Sequence, residues 1–219
     1  KKFLKIDKDW IKLMQTAAER MVVVQCCGNE LLRNTLPVLY MELERCQKSL
    51  EGYLEQKRSK FPRFYFVSNP VLLLILSQGS DPLQMQPYYE KVFDSITKVT
   101  HDKGDKTRIL EMISMEGSDS ETIKLAKEVK AVGNIEDWLS QLLSRVQKTV
   151  NITVQAAAVD CETMKIDEFT HKYPAQVSLI GIQFQWTMDC EDALYRSKTE
   201  KGVMNQTNKK NQQRLNDLI

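Results

Sequence analysis

The run from Leu36 to Gln78 constrains the fold more than any other stretch of this 219-residue chain. Leu36, Leu39, Leu43, Cys46, Leu50 and Tyr53 recur at steps of three and four, with Tyr40, Gln47 and Leu54 widening the seam. That period predicts one amphipathic helix from Leu36 to about Lys60, roughly 37 Å long at 1.5 Å per residue. Glu44 and Lys48, spaced i,i+4 in the favourable order, put solvated charge on its outer face. Phe61-Pro-Arg-Phe-Tyr-Phe then breaks the period, because a residue before proline is driven out of the helical region. The aromatic run predicts an extended segment, its rings packed inward and the basic stems of Arg58, Lys60 and Arg63 at its entrance. Ser68-Asn-Pro restarts a helix, with serine as the N-cap and proline in the first turn.

The remaining segments are mostly helical by period. Asp7 is placed to cap a helix running to about Val24, with Trp10, Ile11, Leu13, Met14, Ala17, Ala18 and Met21 on one face. Gln25 to Asn29 reads as a break, where Gly28-Asn29 suits a left-handed helix-ending residue. Beyond the Asp81-Pro82 loop, Met85 to Ile96 resumes helical spacing. Ile109 to Met115 and Glu121 to Leu125 alternate apolar and polar around a turn at Glu116-Gly-Ser-Asp-Ser, a hairpin signal. The run ETIKLAKEVK also fits a helix. Asn134 caps a stripe of Ile135, Trp138, Leu139, Leu142, Leu143, Val146 and Val150 that continues to Asp160, with Asp137 in the capping-box position. Asp167 to Tyr173 forms a short helix. Pro174 opens another, apolar over so much of its circumference that burial among other helices is expected. Lys201 to Ile219 is helical and polar. The fold class is mainly α with one small β-hairpin, divided as 1–100, 101–132 and 133–219.

Composition and motifs remove several function classes. Charged residues make up 27% and the formal net charge is only +2, a balance that disfavours a dedicated nucleic-acid binder. Arg58, Lys60 and Arg63 interleave with aromatic residues as a base-stacking platform does, but that balance favours packed rings. The longest apolar run, Val71 to Leu76, is far short of the roughly 20 residues that span a bilayer. No membrane partner is expected. The chain opens without a secretory pattern and stops within a helical run, so it reads as a fragment. Cys26, Cys27, Cys46, Cys161 and Cys190 have no metal-finger spacing and read as reduced structural thiols. Asn151-Ile-Thr and Asn205-Gln-Thr read as chance matches to the glycosylation pattern. Gly104-Asp-Lys-Thr lacks the glycine spacing of a phosphate-binding loop. His101 and His171 have no ligand set or nucleophile at useful spacing. The basic tail of Arg196, Lys198, Lys201, Lys209, Lys210 and Arg214 reads as the wet face of a terminal helix, with an acidic surface such as tubulin as the sharper alternative. No catalytic, cofactor-binding or metal residue is assigned.

CQKSLEGYLEQKRSKFPRFYFVSNPVLLLILSQ resembles the signature of the dynein heavy chain linker region. GNIEDWLSQLL from Gly133 and FTHKYPAQVSLIGIQFQWTMDCEDAL from Phe169 succeed it in the same order. VDCETMKIDEFTHKYPAQ leans toward an axonemal chain, in the cytoskeleton of a cilium or flagellum. The resemblance implies an elongated arm of stacked helical bundles. Such an arm couples ATP-driven changes in a motor ring to microtubule movement. Its partners would be the ring of the same heavy chain, other dynein subunits and microtubules. ATP and magnesium would belong to the parent ring, not to this segment. The aromatic run itself reads as a packed structural junction between two helical rods at Phe61, Pro62, Arg63, Phe64, Tyr65 and Phe66. A contact with the ring or the bend is expected at Glu116, Gly117, Ser118, Asp119 and Ser120. The alternative is a helical scaffold or adaptor, unrelated to a motor, that binds partner helices through the Leu36–Leu54 seam.

Overall fold

A computed structural model describes residues 2–79, 81–114 and 120–217. Among these are nine α-helices, two 3-10 turns and one three-stranded antiparallel sheet in the order β1-β2-β3. The mainly α expectation holds. The chain divides into two compact units, Lys1–Leu74 and Ile75–Ile219.

The first unit is built on an antiparallel helix pair. Helix α1 covers Lys2–Arg20, so Asp7 lies inside it and caps nothing. The continuous apolar spacing from Phe3 onward extends the helix upstream of the aspartate. Met21 then turns left-handed (φ 51°), and a short α2, Val23–Cys27, comes next. Gly28 stays right-handed (φ −74°), so the predicted left-handed position at Gly28-Asn29 is displaced to Met21. Asn29 serves instead as the N-cap of the long helix α3, Glu30–Lys60, its side chain accepting from the Leu31 N–H at 3.0 Å. The predicted start at Leu36 is thus six residues late, and α3 runs about 46 Å at 1.5 Å per residue. Pro37 sits within the helix; the bond that the Arg33 carbonyl would take from residue 37 is absent there.

Phe61 is extended (φ −131°), as its proline demands, but Pro62–Phe66 closes into a 3-10 turn and not an extended segment. Proline fixes the φ that begins such a turn, and the Phe64 N–H returns to the Phe61 carbonyl at 3.0 Å. Helix α4, Asn69–Gln78, begins behind Ser68, whose carbonyl accepts the Leu72 N–H at 2.9 Å.

The second unit places a sheet against a long helix. Pro82–Tyr88 is a 3-10 turn, and α5 is only Tyr89–Val92, so the helix predicted over Met85 to Ile96 is mostly absent. Phe93 turns extended (φ −119°, ψ 126°) and ends α5 after four residues. Strands β1 (Lys98–His101), β2 (Arg108–Ser114) and β3 (Glu121–Lys130) add one strand to the predicted hairpin and resolve ETIKLAKEVK as strand. Met112 faces Val99 and Ile123 across the sheet, and Glu111 faces Thr100 and Lys124. Bulges lie between Thr100 and His101 and between Ile109 and Glu111.

Helix α6, Ile135–Thr163, packs Trp138, Leu139 and Leu142 into the core with Ile109, Leu125 and Val129. Gly133 (φ +88°) supplies the left-handed step before its N-cap, Asn134. Helices α7 (Ile166–Lys172), α8 (Ala175–Arg196) and α9 (Val203–Asn216) complete the unit. Ala157, Cys161, Phe169, Tyr173 and Val177 form a second core cluster. The expected burial of α8 holds for one face only. Val177, Gly181 and Ala193 are buried, but Leu179, Ile180, Phe184, Trp186 and Met188 are exposed.

Candidate functional site

The α3–α4 junction is the most tightly specified local arrangement in the first unit. Phe61 and Phe64 are buried, their rings 5.0 Å apart edge to face, a geometry aromatic quadrupoles favour. Leu54 and Val67 are buried in the same unit. Arg58, on the last turns of α3, reaches over the 3-10 turn. Its Nε donates to the Phe64 carbonyl at 3.3 Å and its Nη2 to the Val67 carbonyl at 3.1 Å. The planar guanidinium presents two separate nitrogens in fixed geometry to the two acceptors, an arrangement that a lysine's single nitrogen does not reproduce. The Arg58 head also lies 5.8 Å from the Tyr65 ring centre, and the Tyr65 hydroxyl donates to the Glu55 carboxylate. That hydrogen bond, aided by desolvation and the nearby carboxylate charge, pushes the Tyr65 phenol upward.

Aromatic burial at the junction is selective. Pro62 is exposed and Arg63 half-buried. Tyr65 points outward and Phe66 is 75% exposed, against the expectation that every ring packs inward. The 3-10 period turns residues 65 and 66 away from the face occupied by residues 61 and 64.

The long seam of α3 is half used. Cys46 and Leu39 are partly covered by α1, whereas Leu36, Tyr40, Leu43, Leu50 and Tyr53 stay exposed. Phe3, Ile6 and Trp10 of α1, with Leu36, Leu39, Tyr40 and Leu43 of α3, line an open groove of about 420 Å³.

The sheet presents a polar outer row, Thr100, Glu111 and Lys124, in cross-strand register. Its β1 edge is closed by a side chain. The Gln86 amide donates to the Val99 carbonyl at 2.8 Å, and its oxygen accepts the Val99 N–H at 3.2 Å. The Asp102–Arg108 loop is held by side-chain turns. The Gly104 N–H donates to Asp102 and the Thr107 N–H to Asp105, each at 3.0 Å. Arg108 pairs with Asp102 at 3.0 Å and with Glu128. Of the expected contact residues, Glu116, Gly117, Ser118 and Asp119 lie outside the described residues. Ser120 is exposed just before β3.

The histidines stand apart. His101 lies on β1, where burial holds its pKa below the usual imidazole range. His171 is exposed on α7, its Nδ1 2.8 Å from the Asp167 carbonyl. Three of the six basic tail residues pair with carboxylates among the described residues. Arg196 bridges Asp192 and Glu200, while Lys210 and Arg214 of α9 both grip Asp189 of α8. The five cysteines are free thiols. Among the described residues no helix is long and apolar enough to cross a membrane.

These features describe a mainly helical segment with a packed α3–α4 junction. The family model described as dynein heavy chain, N-terminal region 2, matches residues 1–157. Along its full length the chain is 47% identical to dynein axonemal heavy chain 5 of Rattus norvegicus, covering 6% of that protein. It is 45% identical to dynein axonemal heavy chain 8 of Homo sapiens and 43% identical to the dynein gamma chain, flagellar outer arm, of Chlamydomonas reinhardtii, covering 5% of each. The chain belongs to the dynein heavy chain family. It spans about one-twentieth of the length of the curated relatives it matches.

Proposed function

We propose that this chain is a mechanical linker segment of an axonemal dynein heavy chain, working in the cytoskeleton of a cilium or flagellum. In this role it transmits ATP-driven changes in a motor ring to microtubule-based movement. It has no catalytic site of its own; ATP and magnesium act in the ring of the parent chain. Its partners are that ring and, through the parent, other dynein subunits and microtubules. The observation that carries the reading is similarity along the whole chain to axonemal heavy chains. The physical chemistry agrees with it. A helix of 31 residues and one of 29 are stiff over about 40 Å. Arg58, Phe61 and Phe64 join α3 to the 3-10 turn and the start of α4 without a flexible linker.

The test uses the intact motor. Replacing Arg58 and Phe64 together by alanine should soften the joint, lowering microtubule gliding velocity while ATP turnover by the ring persists. Gliding at the normal velocity, with the substituted segment shown to be folded, would sink the proposal. The segment from Glu116 to Ser120 belongs to the same proposal, as part of a surface that meets the ring or the bend. Deleting Glu116 to Ser120 should slow gliding while the arm stays folded. The adaptor reading is favoured by the exposed α3 seam, and it requires that none of these changes affect gliding.

A further inference from the structure

Helix α8 begins without the groups that ordinarily complete a helix start. Its N-cap is Pro174, which has no side-chain acceptor, and its first turn carries no acidic residue. The Ser178 N–H returns to the Pro174 carbonyl at 2.8 Å, but the N–H groups before it have no carbonyl one turn back. One acceptor comes from 54 residues earlier in the chain: the Glu121 carboxylate takes the Ala175 N–H at 2.7 Å. A carboxylate at that position also meets the positive end of the α8 dipole.

The two ends of this bond belong to different parts of the second unit. Glu121 is the first residue of β3 and pairs with Ser114, the last residue of β2. Strand ends open more readily than strand middles, and the middle of β3 has its own tie, from the Ala126 N–H to Thr149 of α6. At the other end, the buried Ser178 hydroxyl donates to the Tyr173 carbonyl at 3.1 Å, and Val177 packs in one core cluster with Phe169 and Tyr173. The start of α8 is therefore the corner at which α7 and α8 meet. Strand β3 and helix α8 both pack on α6, and Glu121 joins them directly.

We propose that Glu121 is a latch that makes the end of the β2–β3 pair and the first turn of α8 one cooperative unit. When the strand ends part, Glu121 withdraws, the Ala175 N–H loses its acceptor, and the loosening reaches the α7–α8 corner. When the first turn of α8 frays, the start of β3 is released in its turn. Coupling between two sites is reciprocal, whereas a simple cap acts on its own helix alone. The latch lies wholly within the second compact unit, so its test is independent of the motor proposal.

The test is hydrogen exchange, read by mass spectrometry over residues 121–125 and 175–180 of the 219-residue chain. Glu121→Ala should speed exchange about fivefold in both segments, the size of a typical capping contribution. Glu121→Gln keeps an acceptor oxygen and should recover part of that loss. Ala175→Pro removes the donor, yet proline suits the first helical position. It should loosen 121–125 as Glu121→Ala does, although it alters no residue of the sheet. The double variant should then be no looser than either single one, because both cut the same bond. Unchanged exchange over 121–125 in Ala175→Pro overturns the proposal, and so does a double variant in which the two effects add. Exchange that Glu121→Ala speeds over 175–180 alone would reduce Glu121 to a cap and equally overturn it. Unaltered exchange in the middle of α6 shows that each variant is folded.

Discussion

At the residue scale, three side chains matter more than their composition suggests. Gly181 of α8 lies where a Cβ would fall 2.5 Å from the Phe169 ring and 3.5 Å from the Cys161 Cβ. Glycine therefore sets how closely α7 and α8 approach. Gly181→Ala should destabilise the chain by about 1–3 kcal/mol through overpacking, and Gly181→Ala with Phe169→Leu should recover part of it. Thermal unfolding of the three chains checks this; equal midpoints would mean that the ring is free to move aside. Arg58 is the second. Arg58→Lys keeps the charge but not the planar fork, and should leave one of the two carbonyls without its donor. Thr149, 3% exposed, is the third. Its hydroxyl accepts the Ala126 N–H at 3.0 Å and donates to the Arg145 carbonyl at 2.7 Å, so α6 satisfies a donor on β3. Thr149→Val preserves shape and strands that N–H, at a cost of about 1–3 kcal/mol in the unfolding free energy. A midpoint equal to that of the unaltered chain would place the bond outside the folded ensemble.

At the scale of elements, helix α9 is tied to α8 by charge more than by apolar packing. Val203 is its one buried residue, while Lys210 and Arg214 converge on Asp189. Burial pushes the Asp189 carboxyl up, but hydrogen bonds from Lys210 and Arg214 outweigh it and hold the pKa below the usual aspartate value. The hydrogen bonds of Lys172 and Tyr173 likewise hold the Asp160 carboxyl low, tying α6 to α7. A depressed folded pKa stabilises fully above the unfolded value of about 3.9, and that stabilisation is lost as pH falls through the folded value. Amides of α9 should therefore lose exchange protection below about pH 4 ahead of the sheet. Asp189→Asn should produce the same loosening at neutral pH; full protection of α9 in that variant would show that the ion pairs are incidental.

The elements also show how much of this fold is readable from the chain. Where one stripe decides, as with Leu39, Leu43 and Cys46 or with Trp138, Leu139 and Leu142, the helix is visible in the period alone. The α3 start escapes because Pro37 imitates a first-turn residue, while the true cap, Asn29, hides beside Gly28. The 3-10 turn at Pro62 escapes because proline and aromatic residues suit both extended and tight-turn backbone, and the deciding contacts come from Arg58 on the preceding helix. Strand β1 is four residues long with Lys98 and His101 at its ends, too short for alternation to register. The joint residues Phe61 and Phe64 are legible as a site. Arg58, its clamp, is legible only as a basic stem.

For the whole molecule, the contrast lies between well-buried cores and large apolar faces left open. Trp186 is 55% exposed, and Leu179, seven residues before it on the same side of α8, is 48% exposed. Such patches on a folded chain commonly mark interaction surfaces. Because these side chains contribute little to either core cluster, Trp186→Lys should raise the solubility limit and change the unfolding free energy by no more than about 0.5 kcal/mol. A marked fall in the unfolding midpoint would show that Trp186 is packed.

The joint between α3 and α4 has one more consequence, and it concerns time. Arg58 reaches carbonyls only six and nine residues ahead, and Tyr65 reaches back ten residues to Glu55. Loops that short close at little entropic expense and in well under a microsecond. The joint can assemble while the chain is still leaving the ribosome, before any distant segment exists to pack on it. In a very long polypeptide, a locally complete knot of this kind offers later-made segments a finished surface to dock against.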